Sequence, residues 1–372
     1  MPFTSVLERP PRAARHAVAH DARAPRITQP RIQYARTRDG VDIAYYGVGT
    51  GEALVALPGG GGLSHLAREW QYDEQRNWVE QLAASQRVFR LDHRGTGLSD
   101  RDVPFDLELA ALDVEAVVEK EELTRFVLLG QLHTAGAAIM YAARHSERVS
   151  HLVLWSPFSN YREFLQSSPP LQAARAAATK DWVTYTELIA QEAAGWVDME
   201  QARRFAAYMR ECANEDQYVG SMERFSKFDV SAQLNTLKMP VLVLHRRGAV
   251  FPSVELVSKL AADIPGARLV LLQGAAAVPF LGDLTEGLAV MRDFLSVPNG
   301  AGQRSRGGLT EREAEILALL AAGQSNKEIA RALTISTRTV ERHIGNVYTK
   351  IRAHNRAQAT AYAFRHGLAS PE

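Results

Sequence analysis

Residues 126–144 read FVLLGQLHTAGAAIMYAAR, and this stretch decides the fold of most of the chain. It opens with a short apolar run, Phe126–Leu129, of the length typical of a fully buried strand. Small residues around Gly130 permit a tight turn, and the segment from Thr134 to Arg144 then has the pattern of a helix. A buried strand that turns directly into a helix is the unit from which parallel sheets covered by helices are built.

The same alternation extends on both sides of this stretch. Further strand candidates are residues 41–48, 53–57, 88–91, 152–155, 241–244 and 269–272, with helical patterns such as residues 113–122 between several of them. The alternation predicts an α/β domain with a doubly wound, mostly parallel sheet at residues 31–296. Residues 161–229 interrupt the rhythm with consecutive helical patterns rich in aromatic residues, so we expect them to form a helical cap over the sheet.

Two segments flank this domain. Residues 1–30 are rich in Arg, Ala and Pro and show no long helical periodicity, which predicts a disordered arm. Two alternatives stay open for the arm, namely contact with DNA or a partner subunit, and a targeting peptide. The other segment, residues 297–308, reads VPNGAGQRSRGG and has the composition of a flexible linker.

Composition excludes several classes of protein. The 372 residues are 46% apolar, enough for a large core, yet no run of 18 or more apolar residues could span a membrane. Cys212 is the single cysteine and no Cys/His cluster has zinc spacing, so we expect a cytoplasmic protein without disulfide, metal or cofactor. Residues 1–38 carry eight Arg against two acidic residues (+6), and residues 304–372 carry eleven Lys or Arg against six (+5). The total of +1 therefore leaves −10 in the middle of the chain.

Residues 309–372 have the pattern of a small all-α domain with four helices. Thr310 and Glu313 have the spacing of a capping box that opens a first helix, and Gly323 ends it. Ser325 and Glu328 form a second box, which opens the next helix.

A short turn at residues 334–336 leads into the third of these helices, which has two different faces. The buried face is predicted from the recurrence of Val340, Ile344, Val347 and Ile351. The opposite face carries Arg338, Glu341, Arg342 and Gly345. Two helices joined by a tight turn, the second with an exposed polar face, predict a helix-turn-helix unit that enters the major groove of double-stranded DNA.

Two motifs of the larger domain resemble those of α/β-hydrolases. Residues 92–100 read DHRGTGLSD and are similar to the D-x-R-G-x-G-x-S turn of that family. Residues 141–149, YAARHSERV, are similar to the helix after the family's nucleophile elbow. The resemblance covers residues 31–296 and implies that residues 130–134, GQLHT, occupy the elbow G-x-S-x-G. Leu132 then stands where the family has its catalytic serine.

The two other triad positions also lack the residue types that catalysis requires. Residues 241–252, VLVLHRRGAVFP, resemble the strand and turn that supply the acid, with Ala249 at its position. Residues 274–281, GAAAVPFL, resemble the histidine loop, with Ala277 at the histidine. A triad works only when nucleophile, base and acid stand together, so the resemblance implies a domain that is not an enzyme.

One alternative is a working triad made from other residues. Its candidates are two loop serines, two histidines and an acid after the last strand, namely Ser64, Ser99, His133, His245 and Asp283. Such a triad would require these groups to lie at mutual hydrogen-bond distance.

Loss of the three polar groups predicts an apolar pocket for a small, largely apolar ligand. The candidate ligand-binding residues are Gly59, Gly60, Leu132, His133, Trp155, Ala249 and Ala277. The glycines would let backbone N–H groups approach the ligand. For His133, ligand contact and a packed structural histidine are both open. A collapsed pocket in a purely structural domain is the further alternative.

The C-terminal domain resembles the LuxR-type helix-turn-helix family nearly from end to end. The resemblance implies that bases are read by Glu341, Arg342 and Gly345. It implies that phosphates are contacted by Lys327, Thr337, Arg338, Thr339 and Lys350. Helices of this family pair through their last segment, here residues 357–365, which implies a homodimer on a palindrome-like site.

These expectations combine into a bacterial transcriptional regulator whose non-catalytic α/β-hydrolase-like domain senses a small apolar ligand and biases a LuxR-type DNA-binding domain. Its expected partners are double-stranded DNA, the ligand and a second copy of the chain, with RNA polymerase as a further candidate and no membrane. Two alternatives are a hydrolase or lyase with an unconventional active site fused to a DNA-binding module, and a ligand-independent dimerising scaffold.

Overall fold

The computed structural model describes residues 28–59, 63–104, 106–169, 171–172, 174, 180–225, 227–296, 309, 311–333, 336–351, 353–365 and 368. The predicted linker and all but the last three residues of the predicted arm lie outside these residues. In the described part, strands and helices alternate up to Leu295, and four helices follow.

The larger domain is built on one sheet of eight strands. They are β1 (Gln33–Arg36), β2 (Asp42–Val48), β3 (Glu52–Ala56), β4 (Gln86–Leu91), β5 (Phe126–Gln131), β6 (Val149–Trp155), β7 (Val241–Arg246) and β8 (Arg268–Leu272). Their order in the sheet is β1-β2-β4-β3-β5-β6-β7-β8. β2 pairs antiparallel with β1 and β4, whereas the pairs from β4 to β8 are parallel. The predicted α/β class and mostly parallel sheet are confirmed.

All seven predicted strands are present, and β1 is the strand that the sequence did not reveal. Its four residues, QYAR, contain one buried side chain, Ala35. An edge strand with so little apolar content has no run to detect. β5 and β6, in contrast, are buried along their whole length, as continuous apolar runs in a covered parallel sheet should be.

The helices of the larger domain lie on both faces of the sheet and in the cap. They are α1 (Leu66–Gln71), α2 (Asp73–Ala83), α3 (Leu107–Lys120), α4 (Ala135–Arg144), α5 (Tyr161–Gln166), α6 (Trp182–Ala193), α7 (Met199–Cys212), α8 (Glu215–Phe225), α9 (Val254–Asp263) and α10 (Thr285–Leu295). Several begin at a side chain that accepts a backbone N–H of the first turn, namely Asp106, Asn160, Asp181, Asp198 and Ser253. α5–α8 form the cap that the sequence predicted.

The C-terminal helices form a separate core. They are α11 (Glu311–Ala321), α12 (Asn326–Ala332), α13 (Thr337–Ile351) and α14 (Arg356–Arg365). Gly323 ends α11 with φ of +84°, and the capping box of Ser325 and Glu328 opens α12, both as predicted. Thr310 of the other predicted box lies outside the described residues, and the carboxylate of Glu313 accepts from Lys350. Val340 and Val347 are buried on α13 as expected, and Ile344 and Ile351 are partly buried.

In the part of the chain that the structure describes, no helix is long and apolar enough to cross a bilayer. Within the same residues, no group of three or more His, Cys, Asp or Glu side chains is arranged to hold a metal ion.

Candidate functional site

The turn after β5 has the backbone of a nucleophile elbow with a leucine at its tip. Leu132 has φ of +46°, in the left-handed region, which costs a residue other than glycine about 1–3 kcal/mol. Gly130 leaves room for the helix that follows, because a Cβ there would lie 2.7 Å from Cβ of Ala138 and 2.8 Å from Cα of Ala135. α4 therefore packs directly on β5, and residue 132 stands at the carboxyl end of a central strand.

Side-chain hydrogen bonds hold this turn without the family's second glycine. The hydroxyl of Thr134 accepts from the backbone N–H of Gln131 at 3.2 Å and donates to the carbonyl of Gln131 at 3.0 Å. Nε2 of Gln131 donates to the carbonyl of Leu57 at 2.9 Å, which ties the elbow to the loop with Pro58 and Gly59. The elbow geometry is thus fixed by groups that have no catalytic chemistry.

A cavity of about 60 Å³ lies beside Leu132, under the cap. On the sheet side it is lined by Pro58, Gly59, Leu63, Gln75, Leu132 and His133. On the cap side it is lined by Ile189, Ala193, Phe205, Tyr208, Met209 and Tyr218, and a third wall consists of Phe251, Val278 and Phe280. Because benzene occupies an engineered cavity of roughly 150 Å³ in another protein, a ring of that size requires the walls of this cavity to move apart.

The structure divides the predicted ligand-binding residues into two groups. Gly59, Leu132 and His133 line the cavity, while Gly60 lies outside the described residues. The imidazole of His133 packs edge-on against Phe158 and Phe164, with ring centroids 5.4 and 5.7 Å away. His133 therefore combines the packed position of a structural histidine with a place in the cavity wall.

Trp155 does not line the cavity, contrary to expectation. Its ring packs against Trp78, with centroids 5.9 Å apart, and under the guanidinium of Arg246 at 5.1 Å. The terminal ring carbons of Trp155 also lie within 3 Å of where a Cβ of Gly287 on α10 would be. Trp155 therefore belongs to the packing between the sheet and its helices.

Ala249 and Ala277 are also buried outside the cavity wall, so the expectation that they line it is wrong. Both side chains end at a single methyl group, and the larger side chains of Phe251, Val278 and Phe280 in the same two loops reach the cavity instead. The backbone N–H of Ala277 donates to the carbonyl of Ala193 in the cap at 2.8 Å. The loop at the histidine position thus holds the cap through its backbone.

Arg246 organises this loop from inside the protein. Its Nη1 donates to the carbonyls of Ala276, Val278 and Leu281 at 2.8–3.1 Å, and its Nη2 donates to the carbonyls of Pro279 and Asp283. Burial lowers the pKa of Arg246 to about 10, so the side chain remains charged at neutral pH. A buried cation shared among five carbonyls makes the loop a rigid part of the domain.

The serines and the acid considered for an alternative triad serve other roles. Ser64 donates to Oδ1 of Asp92 at 2.5 Å, and Ser99 donates to the carbonyl of Asp92 at 2.6 Å. The carboxylate of Asp283 accepts from the backbone N–H of Thr285 at 2.8 Å. In the described residues these groups form no serine–histidine–acid chain with His133 or His245.

A serine–histidine pair that the sequence did not reveal lies at the ends of β6 and β7. Oγ of Ser156 lies 3.1 Å from Nδ1 of His245 and donates to the carbonyl of Ala277 at 2.9 Å. Both side chains are fully buried, and Nε2 of His245 has no hydrogen-bond partner among the described residues. Burial and the charge of Arg246 lower the pKa of His245 to about 4, so the imidazole is neutral. Neither residue lines the cavity, so the pair has no access to a substrate there.

A buried ion pair between Glu69 of α1 and Arg90 of β4 contacts the cavity-lining residue Gln75. Oε1 of Glu69 accepts from the hydroxyl of Tyr46 at 2.5 Å and from Nε of Arg90 at 3.1 Å. Oε2 accepts from Nη2 of Arg90 and from Nε2 of Gln75, the latter at 3.1 Å. Burial would raise the pKa of Glu69, but Arg90 and these hydrogen bonds outweigh it, so the net shift of the pKa is downward. Glu69 is therefore a carboxylate with all its lone pairs in use.

The second candidate site is the exposed face of α13. Arg338, Glu341, Arg342 and Gly345 are exposed, as predicted for a face that reads DNA. Lys327 on α12 is exposed as well. The hydroxyls of Ser336 and Thr339 lie 2.7 Å apart, and Oγ of Ser336 accepts the N–H of Thr339 at 3.1 Å. Ser336 therefore fixes the start of α13, and Thr337 next to it is partly buried.

Two of the predicted DNA contacts are ion-paired within the chain. Nζ of Lys350 donates to Oε2 of the buried Glu313 at 2.6 Å. Nη2 of Arg342 donates to Oδ1 of Asp293 at 2.9 Å, and Asp293 belongs to α10 of the larger domain. Asp293 also accepts from Arg268 at 3.0 Å. In this arrangement Arg342 cannot reach a base without leaving Asp293.

No contact among the described residues explains the glycine at position 345. A Cβ at this position would meet no atom within 4 Å, and the backbone is helical. Glycine in the middle of a helix costs about 1 kcal/mol relative to alanine. The absence of a side chain at an exposed helical position leaves space for close approach by another molecule.

Comparison with known proteins assigns both domains to families. Residues 52–284 match the family described as alpha/beta hydrolase fold, and residues 308–363 match the family described as bacterial regulatory proteins, luxR family. An esterase from Rhodococcus sp. ECU1013 has a TM-score of 0.62 and 24% identity, and the match covers 72% of this chain and 99% of the esterase. A meta-cleavage product hydrolase from Pseudomonas fluorescens IP01 has a TM-score of 0.59 and 17% identity over 71% and 97% of the two chains. At these identities the likeness shows the fold alone.

The curated relatives match this chain over a segment about as long as its C-terminal domain. The response regulator proteins VraR of Staphylococcus aureus strain Mu3 and of Staphylococcus epidermidis strain RP62A are each 52% identical over 60 residues. The match covers 16% of this chain and 29% of each relative. It therefore bears on a DNA-binding domain and not on the remainder of either protein.

Proposed function

We propose, on the premise that this chain belongs to the alpha/beta hydrolase fold family and ends in a LuxR-type regulatory domain, that it is a ligand-dependent transcriptional regulator. In this proposal the larger domain is not an enzyme and binds a small, largely apolar molecule in the cavity beside Leu132. Occupancy of that cavity alters how the C-terminal domain engages double-stranded DNA.

The observation that carries the proposal is the left-handed backbone of Leu132. A strained turn of this kind carries the catalytic nucleophile in α/β-hydrolases, so the backbone supports the proposed assignment of Leu132 to that position beside the sequence. A leucine there has neither hydroxyl nor thiol, and it contributes an apolar wall to the cavity. The fold is kept and the nucleophile is replaced by a group suited to binding.

The size of the cavity supports a link between ligand and conformation. A ligand with the volume of an aromatic ring needs a wider cavity than the present one, and in this proposal the cap moves outward to provide it, so the ligand binds the expanded arrangement better than the closed one. A difference in affinity between two arrangements is what a ligand needs to shift their populations. The cap and α10 are connected through the loop that Arg246 organises, and α10 contacts Arg342 through Asp293.

Pairing of two copies through α14 is part of the proposal. Ala359 and Ala363 of this helix are buried within their own domain, whereas Phe364 remains 39% exposed. Sedimentation velocity of the full chain should show a dimer that Phe364→Glu weakens. A native protein that stays monomeric at micromolar concentration would contradict this part.

The regulatory function can be tested once an operator has been selected from random double-stranded DNA with the full-length protein. Operator affinity is then measured by fluorescence anisotropy against a library of small apolar compounds. We expect at least one compound to change the affinity about 5- to 150-fold. Leu132→Asp, which places an unpaired carboxylate in the cavity wall, should abolish the response and preserve operator binding.

Val183→Asp is the matched control for this variant, because Val183 lies on the cap but is 56% exposed. It should respond as the native protein does. A normal response from the folded Leu132→Asp variant, or operator binding that is independent of every compound, would contradict the proposal.

The absence of catalysis can be tested separately with a fluorophosphonate probe. We expect no labelling of the native protein, and none of Leu132→Ser, because histidine and acid are missing at the two other triad positions. Stoichiometric labelling that Ser156→Ala abolishes would instead identify the Ser156–His245 pair as a reactive centre and support the enzyme alternative.

A further inference from the structure

We propose that the ligand of this cavity carries a hydrogen-bond donor, a hydroxyl or an amide N–H, on its otherwise apolar body, and that Oε1 of Gln75 accepts this hydrogen bond. The inference rests on the proposed ligand-binding function and adds a chemical class to it. Gln75 lies on α2, is 3% exposed and lines the cavity beside Leu132.

The orientation of the Gln75 amide is fixed by the ion pair below the cavity. Glu69 is a carboxylate that can only accept, and its other three positions are filled by Tyr46 and by Nε and Nη2 of Arg90. Gln75 must therefore turn its NH₂ group toward Glu69, which it does at 3.1 Å. The amide oxygen is then directed away from Glu69.

This oxygen has no hydrogen-bond partner among the described residues. A buried amide oxygen without a partner is unfavourable, and buried polar groups in native proteins are rarely left so. This oxygen is buried in the closed arrangement, but Gln75 lines the cavity, so the outward movement that admits a ligand would bring a donor within reach of it. A ligand that displaces water from this place must supply the donor itself.

Other polar side chains of the wall have contacts of their own. The hydroxyl of Tyr218 pairs with that of Tyr185, and the hydroxyl of Tyr208 interacts with Cys212. His133 packs among aromatic rings. The remaining lining is largely aliphatic or aromatic carbon, so one donor on an apolar body matches the wall.

The same geometry disfavours other classes of ligand. An ester, ether or ketone has only hydrogen-bond acceptors. It could not bond to the oxygen of Gln75, so both oxygens would remain without a donor. An ionised ligand would lose its hydration in an apolar cavity without a countercharge, since Arg90 is already paired with Glu69. Alcohols, phenols and secondary amides remain.

The test is a pair of probes with nearly the same shape, phenol and toluene, titrated calorimetrically into the full-length protein and into Gln75→Met. Methionine keeps the length of the side chain and removes the acceptor. We expect Gln75→Met to weaken phenol binding about tenfold and to leave toluene binding unchanged within twofold. Toluene binding also reports that the variant retains its cavity.

Asn77→Met is the control on the same helix, because Asn77 lies on the exposed face of α2. It should leave both affinities unchanged. Anisole, which keeps the phenol oxygen but has no O–H, should behave like toluene and not like phenol.

The outcomes separate this inference from the function on which it rests. If the probes bind but Gln75→Met changes phenol and toluene equally, or neither, the donor inference is wrong and the cavity remains a ligand site. If none of the three probes binds the native protein, the ligand-binding function itself is contradicted, and this inference with it.

Discussion

Leu132 has the left-handed backbone of a nucleophile elbow and a side chain without a nucleophilic group. The backbone remains in the left-handed region, and Thr134 and Gln131 close the turn with hydrogen bonds that need no catalytic group. The strain is therefore maintained by packing and hydrogen bonding around the elbow. Replacing the residue at the tip alters what the cavity can bind and leaves its position at the end of β5 unchanged.

In the turn after β4, position 97 can be occupied only by glycine without displacing its neighbours. Its φ is +52°, and a Cβ there would lie 2.0 Å from Oδ2 of Asp92, the carboxylate that accepts from Ser64 and from the N–H of Leu98. We expect Gly97→Ala to lower the free energy of unfolding by at least about 3 kcal/mol in urea denaturation.

Gly40 offers the matched control, since its φ is +89° and the nearest atom to an added Cβ is the flexible end of Arg36 at 3.9 Å. Gly40→Ala should cost only the backbone strain, about 1 kcal/mol. Equal losses for the two variants would show that contact with Asp92 does not explain the glycine at 97.

His245 makes stability depend on pH in a defined window. Burial lowers its pKa from 6.5 to about 4 in the folded protein. Between these values the unfolded chain binds more protons than the folded one, so lowering the pH favours unfolding. From pH 7 to pH 4.5 this group should remove about 2 kcal/mol of stability.

Urea denaturation of the native protein and of His245→Gln over this range isolates the effect, because acidic groups contribute alike to both. The native protein should lose about 2 kcal/mol more than the variant. Parallel pH profiles would mean that the pKa of the imidazole in the folded protein is the same as in the unfolded chain.

At the scale of elements, we expect α12 and α13 to make two different kinds of DNA contact. We expect Lys327→Ala on the neighbouring α12 to weaken binding to operator and random DNA alike, because a phosphate contact is independent of sequence. Arg342→Ala should cost about 1–3 kcal/mol on the operator and much less on random DNA. Anisotropy titrations with both DNAs measure the difference, and equal losses for both variants on both DNAs would refute the division.

Gly345 should separate helix stability from recognition. The methyl group of Gly345→Ala would meet no atom of the described residues, so the C-terminal domain should gain about 0.5–1 kcal/mol of stability. The added methyl group should nevertheless weaken operator binding about tenfold or more, because it occupies space needed for close approach of the bases. Unchanged operator affinity in the more stable variant would assign Gly345 no part in the interface.

The elements with strong periodicity were predictable, and the cavity was not. Seven strands, the cap and the faces of α13 follow apolar patterns that depend on neighbouring residues in the sequence. The cavity wall depends instead on which side chains of two loops are long enough, which is why Phe251, Val278 and Phe280 replace the expected Ala249 and Ala277. Gln75 did leave a signal, as a polar residue in the buried stripe with Trp78, Val79 and Leu82 on α2. The sequence alone could not explain this buried polar residue, because the explanation is its hydrogen bond to Glu69.

At the scale of the whole molecule, the ion pair of Arg342 with Asp293 predicts that the larger domain competes with DNA for Arg342. Side chains exposed by 50% and 34% form a weak pair worth at most about 1 kcal/mol. We expect Asp293→Asn to raise operator affinity about two- to fivefold at low salt, with the gain disappearing at high salt. Asp263→Asn, the same change at an exposed position on α9, should have no effect. No gain from Asp293→Asn at low salt would mean that the pair does not restrain the recognition helix.

The loop of residues 274–284 has one further consequence for the whole molecule. At one end its backbone holds the cap, through the N–H of Ala277 and the carbonyl of Ala193, and at the other end it continues into α10. Arg246 binds five of its carbonyls, so the loop cannot absorb a movement by bending. In the proposed function, a cap that moves outward would therefore displace the start of α10, the helix that carries Asp293. In α/β-hydrolases this loop holds the catalytic histidine; here it carries Ala277 at that position, and in the proposed function the rigid loop transmits the movement of the cap to α10.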